Sequence, residues 1–212
     1  MIFLPHIFSE EGIVNNSNTR RSSNIFASEF LLGSLVAVLS ALTAWTAYQA
    51  TLAGSMQADA NVEGQKVLSL SNTEFLRANQ DIIQDYTMWD GYFVHQDTDQ
   101  KRANYYRDNF SDELKASEER QNGPFDDEYY KAVYKDADDS YNEAVAKFEE
   151  ARQAGEKADR YQFVVLIFAV GLALSAWASI AKEENRLRSF FALIALATLV
   201  FGLVNFLITY LM

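Results

Sequence analysis

FVVLIFAVGLALSAWASIA, residues 163–181, carries no charge from end to end. A hydrocarbon core of roughly 30 Å takes about 20 mostly apolar residues as a helix, so this stretch has the make-up of a membrane span. Working outward, FFALIALATLVFGLVNFLITYLM at 190–212 repeats the pattern after a short polar link. FLLGSLVAVLSALTAWTAY at 30–48 repeats it again, extended by Ile25 and Phe26, and leads into a polar segment that returns at 161. The reading is an all-α integral membrane protein with three transmembrane helices and an antiparallel, coiled-coil-like helical domain outside the bilayer. Its expected order is a flexible tail at 1–24, spans at 25–48, 161–181 and 190–212, a helical domain at 49–160, and a link at 182–189.

Charge is concentrated in one of these parts. Residues 49–160 hold 13 Lys and Arg against 24 Asp and Glu, which accounts for the whole net charge of −11. An acidic surface repels nucleic acid, so that class of partner is not expected. With no cysteine in the chain, disulfides, thiolate metal sites and cysteine nucleophiles are excluded.

Short cytoplasmic segments carry an excess of Lys and Arg. Arg20 and Arg21 precede the first span, and Lys182, Arg186 and Arg188 fill the link between the other two. This places the N-terminus and the link in the cytoplasm of a prokaryotic cell and residues 49–160 outside its cytoplasmic membrane. Trp45, Tyr48, Tyr161 and Tyr210 fit an aromatic belt at the outer interface, Trp177 and Phe190 one at the inner. Because the helical repeat runs straight through Ala47 and Ala50, the first span reads as an uncleaved anchor.

That repeat links the spans to the polar domain. Steps of three and four join Gly33, Ala37, Ser40, Ala44, Ala47, Thr51, Gly54, Ala58, Asn61, Gln65, Leu68, Asn72, Phe75, Asn79, Ile82, Tyr86, Trp89 and Phe93. A second series joins Tyr130, Tyr134, Ala137, Tyr141, Ala144, Phe148, Ala151, Gly155, Ala158, Gln162, Val165, Ala169, Leu172 and Ala176. In both, small residues lie near the bilayer and aromatics far from it. Such spacing argues for two long antiparallel helices, small facing small and aromatic facing aromatic. Asp59, Glu63 and Gly64 weaken the first of them and allow a break there. A third helix is expected over 101–121, ended by Asn122-Gly123-Pro124, with Asp126 to Glu128 opening the next.

Candidate sites follow from the same layout. Eight of the eleven tyrosines fall between Tyr86 and Tyr141. Trp89, Tyr92, Phe93, Tyr105, Tyr106, Tyr130 and Tyr134 are the candidate contact residues of an aromatic tip, weighed against the small core needed where three helices meet. Gly91 is read as a kink that exposes its neighbours. Within the membrane, Gly33, Ala37, Ser40 and Ala44 are candidate packing residues, as are Thr198, Gly202 and Asn205 on a seam with Ala195 and Thr209. Asn205 in hydrocarbon needs a partner, either the other spans, a sister subunit or another protein.

Asp97-Thr98-Asp99 begins like a calcium loop, but Lys101 and Arg102 break the pattern. Asp136, Asp138, Asp139 and Glu143 read as a solvated acidic face. His6 and His95 are too few for a metal cluster. No catalytic residue, metal site or cofactor is expected.

Tyr48-Gln49-Ala50, just beyond the first span, resembles the motif of an uncharacterised bacterial family of three-span membrane proteins with a domain of unknown function. In that family Lys and Ser usually follow, whereas here Thr51 and Leu52 do. The resemblance implies the same layout of spans and no activity. The expected function is a non-enzymatic structural, scaffolding or accessory subunit, with the lipid bilayer and a protein partner or homo-oligomer around it. The alternative is an extracytoplasmic sensor or ligand-binding module acting through a separate partner. A transporter is disfavoured by three spans with almost no buried charge, and an enzyme by the lack of any catalytic set.

Overall fold

The computed structural model describes residues 29–182 and 186–212. The tail expected at 1–24 and residues 183–185 of the expected link lie outside the described residues. Six helices follow one another: α1 (Glu29–His95), α2 (Gln100–Asp108), α3 (Asp112–Glu118), α4 (Asp127–Val133), α5 (Lys135–Ile180) and α6 (Arg186–Leu211). Among the described residues there is no strand. With a rise of 1.5 Å per residue, α1 is about 100 Å long and α5 about 69 Å.

Three helices, α1, α5 and α6, are long and apolar enough to cross a membrane. Their apolar windows are only 22%, 28% and 17% buried, so most of that apolar surface faces outward. A helix apolar all round and not enclosed by protein suits a lipid environment.

The antiparallel pairing of α1 with α5 organises the rest. Side chains fix its register: Phe148 lies over Gly64, Gln57 over Gly155 and Leu39 over Gly171. The Ser71 hydroxyl donates to the Ala137 carbonyl at 2.8 Å, and the Ser140 hydroxyl to Glu74 at 2.6 Å. On α5 the small residues of the expected line, Ala137, Ala144, Ala151, Gly155 and Ala158, are buried, whereas Tyr141 of the same line is exposed. α1, however, packs on a line one residue from the expected one. Its buried positions are Leu32, Leu35, Leu39, Thr46, Ala50, Ala53, Ala60, Gly64, Ser71 and Ala78, followed at the tip by Ile82, which belongs to the expected line, and Asp85.

Gly33, Ala37, Ser40 and Ala44 are therefore exposed and take no part in the α1–α5 seam. Both lines are rich in Ala, Gly and Ser, so small residues alone do not choose between them. Leu32, Leu35 and Leu39 do, because in an apolar span packing contacts rather than transfer from water decide the face, and a leucine makes many more of them than an alanine. Ala47, Gly54 and Ala58 from the other line border an open groove with Gln162 and Ala169. The same one-step shift appears in the apolar part of α5, where Tyr161, Val164, Phe168, Gly171, Ser175 and Ala178 are buried in place of Gln162, Val165, Ala169, Leu172 and Ala176. There α5 has two neighbours to face. Phe168 fills the space above Gly202 of α6, and Thr198 lies beside Gly171. At the other end of the bundle, Arg188 is buried and its guanidinium donates to the Ala181 carbonyl at 3.4 Å, where the dipole of α5 favours a cation.

Three expected boundaries change. α1 runs unbroken past Asp59, Glu63 and Gly64, since Gly64 leaves room for the Phe148 ring. The single helix expected at 101–121 is two, α2 and α3, parted at 109–111. Ser111 caps α3 by accepting from the Leu114 N–H at 3.0 Å, and a serine committed to a cap does not continue the preceding helix. The helix opened by Asp126 is interrupted at Tyr134, between α4 and α5, although the Tyr134 N–H still reaches Tyr130 at 3.0 Å. Gly123 adopts φ 95°, the left-handed conformation expected of this turn.

The buried seam predicts which substitutions are felt. Gly155→Leu or Ala151→Leu overfills it and is expected to cost about 1–3 kcal/mol. Ala58→Leu, on the open line, is expected to leave the melt unchanged. Thermal circular dichroism of the full chain in detergent checks the contrast; equal melts for all three would sink the assignment of the seam.

Candidate functional site

The far end of the stalk is closed by a small core. Ile82 of α1, Phe110, Leu114 of α3 and Tyr129 of α4 are buried, with Met88, Trp89, Tyr92, Phe125, Tyr130, Val133 and Tyr134 packed around them. Aromatic contacts knit it together. Tyr86 stacks on Phe125 with centroids 4.1 Å apart, and Phe75 stacks on Tyr134 at 5.2 Å. Phe110 meets Trp89 and Tyr92, each at 5.8 Å. Such pairs add about 0.5–1.5 kcal/mol beyond the area they bury.

At the centre sits Asp85, only 1% exposed. Its carboxylate accepts from the Ser111 N–H at 3.1 Å, the Ser111 hydroxyl at 2.5 Å and the Tyr129 hydroxyl at 2.8 Å. One side chain thus ties α1 to the cap of α3 and to α4. A buried carboxylate is tolerated only when hydrogen-bonded, and three donors supply that. Around it, the Tyr86 and Tyr130 hydroxyls lie 2.6 Å apart and the Tyr134 hydroxyl donates to Asn79 at 3.0 Å. Burial and the bond to Asp85 push the Tyr129 phenol far above its ordinary range. The bond to Tyr86, and then burial, push Tyr130 up to about 12.

The seven residues read as the tip divide into three groups. Trp89, Tyr92, Tyr130 and Tyr134 line the core. Tyr106 lies flat over Gly91, where a Cβ would come within 2.5 Å of its ring. Gly91 is thus a point of close approach between α1 and α2, and α1 continues through it to His95. Phe93 and Tyr105 are 62% and 64% exposed and point away from the core.

The acidic segments are absorbed by local structure. Asp99 caps α2 through the Arg102 N–H at 3.2 Å, and Asp126 caps α4 through the Tyr129 N–H at 2.9 Å while pairing with Arg120 at 2.9 Å. Asp139 pairs with Lys135 at 2.6 Å. Among the described residues no cluster of His, Cys, Asp or Glu has metal-holding geometry. In the membrane-length part, Gly202 is buried against Phe168, Thr198 lies by Gly171, and the Asn205 amide donates to the Phe201 carbonyl at 2.8 Å. Asn205 therefore meets part of its hydrogen-bonding need within its own helix.

Asp85 escaped the sequence reading. The signal was present: Ala50, Gln57, Gly64, Ser71, Ala78 and Asp85 follow one another at intervals of seven. Once that line is known to be the inner one, a carboxylate at its end must find donors.

Removing the carboxylate is predicted to loosen the whole tip. Asp85→Ala strands the buried Tyr129 hydroxyl and the Ser111 N–H, at a cost on the order of 3 kcal/mol, while Asp85→Asn keeps an acceptor and costs less. Denaturant unfolding followed by tryptophan fluorescence orders the variants; no loss in Asp85→Ala would remove Asp85 from this role. The raised phenols give a second test. Their stabilising contribution is complete below about pH 10 and is lost as pH rises through their folded values, the direction expected when the folded state holds the proton more tightly. Ultraviolet titration is expected to show two tyrosines ionising late, with the tip loosening as they do.

No family model matches the chain, and no curated protein or solved structure matches it.

Proposed function

We propose that the chain is a non-enzymatic structural, scaffolding or accessory subunit of a prokaryotic cytoplasmic membrane. In this reading α1, α5 and α6 cross the bilayer, the N-terminus is cytoplasmic, and residues 49–160 stand outside as an antiparallel coiled-coil-like stalk. The observation that carries it is the unbroken course of α1 from an apolar end to an aromatic tip. A single helix about 100 Å long, braced by a second over much of its length, has the form of a strut. The tip aromatics are spent mostly on holding its three short helices to α1. Among the residues left outside, Phe93, Val94 and Tyr105 offer apolar surface to a protein partner. The resemblance at Tyr48-Gln49-Ala50 supports the layout and adds no activity.

A second reading, an extracytoplasmic ligand-binding module, draws on one observation. An open cleft of about 640 Å³ runs beside Asp85, between α1 and the α4–α5 junction, lined by Glu74, Asp81, Ser111, Glu113 and Asp136 among others. Its size suits a small molecule.

The two readings part on the composition of the native complex. Purified in mild detergent from its own membrane at natural abundance, the chain is expected to carry a second protein in fixed stoichiometry. Phe93→Ser with Tyr105→Ser is expected to strip that protein without moving the thermal melt. Recovery of the chain alone would remove the accessory-subunit reading and turn attention to the cleft.

A further inference from the structure

Most cations of the polar domain are paired with a neighbouring acid. Lys66 meets Glu63 at 3.3 Å, Arg107 meets Glu118 at 3.0 Å, Lys147 meets Glu150 at 2.9 Å, and Arg152 takes both Glu149 and Glu156. Lys157 and Arg160 form no ion pair with the described residues, although Glu156 and Asp159 adjoin them in sequence. Standing three residues apart, they share one face of α5. They are also the last two cations before the apolar run, so they stand at the boundary between polar and apolar surface.

Two adjoining clefts meet at this boundary. One, of about 220 Å³, holds both cations and is lined by Gln153, Glu156, Lys157, Arg160 and Met212. The other, of about 310 Å³, lies between α5 and the end of α6 and is lined by Asp159, Arg160, Phe163, Val164, Asn205, Ile208 and Thr209. Arg160 belongs to both. A ligand that fills them has an anionic group at the Lys157–Arg160 face and an apolar body along Phe163, Val164 and Ile208. A free phosphate has no use for the second cleft, and a fatty chain alone has none for the first.

We propose that Lys157 and Arg160 hold the phosphate of a phospholipid whose acyl chain lies between α5 and α6. The proposal rests on the membrane-spanning reading above and names a ligand for it. Guanidinium and ammonium groups at a bilayer surface are attracted to lipid phosphate, the guanidinium by paired hydrogen bonds. Asp159, which forms no ion pair with the described residues and lines the apolar cleft, repels a headgroup that is only anionic and accepts from an amine. The fitting lipid is therefore zwitterionic, with a primary amine beyond its phosphate. Asn205 contributes as well: one N–H is spent on Phe201, which leaves the second for an ester carbonyl.

Native mass spectrometry of the full chain in mild detergent, titrated with phosphatidylethanolamine, tests this. One tightly held adduct is expected. Lys157→Gln with Arg160→Gln is expected to weaken it at least tenfold, whereas Lys115→Gln with Lys131→Gln, which removes two cations of the distal helices far from the clefts, leaves it unchanged. Inorganic phosphate and glycerophosphoethanolamine, which lack the acyl chain, are expected not to displace it. Phosphatidylglycerol is expected to bind more weakly. Equal retention by both double variants and the unaltered chain would overturn the proposal, as would equal loss from both, displacement by the chain-free phosphates, or equal binding of phosphatidylglycerol. Failure of the membrane reading itself looks different: the chain would appear in the soluble fraction of cells broken without detergent.

Discussion

Close approach of two long helices is the constraint on which the rest of this structure depends. Along α1 and α5 the facing positions are mostly Ala, Gly and Ser, so the backbones come together with little between them. Such a seam buries little apolar area per residue, and its strength lies in length and in dispersion contacts between many small groups. Small residues leave no slack for a bulkier neighbour either. Where a large side chain enters, as Phe148 does, a glycine faces it.

The arrangement at the two ends follows from this economy. A seam of small residues cannot by itself anchor the short helices that reverse the chain, so the tip carries its own core of aromatics, with Asp85 joining three elements at one point. At the opposite end α6 completes the packing of α5 by a similar device, Phe168 over Gly202. The stalk is thus held shut along its length by close fit and at its extremities by rings.

Much of this was legible in the sequence because the relevant signals are local or strictly periodic. Three apolar runs, the turn at Gly123, the acidic opening of the helix after it and the alanine line Ala137, Ala144, Ala151 and Ala158 all declare themselves without tertiary knowledge. The α1 seam did not, for a physical reason. Two adjacent lines are both small enough to pack, and the choice is made by three leucines near Glu29 and by a second neighbour that α5 must accommodate. The tip shows a related limit. Tyrosines there are abundant enough to suggest a docking surface, yet four of the seven candidates serve the core, because closing three short helices onto one long one consumes apolar area. Asp85 was hidden by the same one-residue displacement of the seam.

The unbroken course of α1 has a mechanical consequence. Residues 49–95 form an arm of about 70 Å, measured along the helix, that continues the apolar segment in one unbroken helix. A change of about 5° in the tilt of that segment carries the far end sideways by about 6 Å, on the scale of one helical turn. Because α1 is one continuous helix through Gly54, Gly64 and Gly91, it can act as a lever. In the proposed membrane reading, thinning or thickening of the bilayer around its apolar end becomes displacement at its aromatic end.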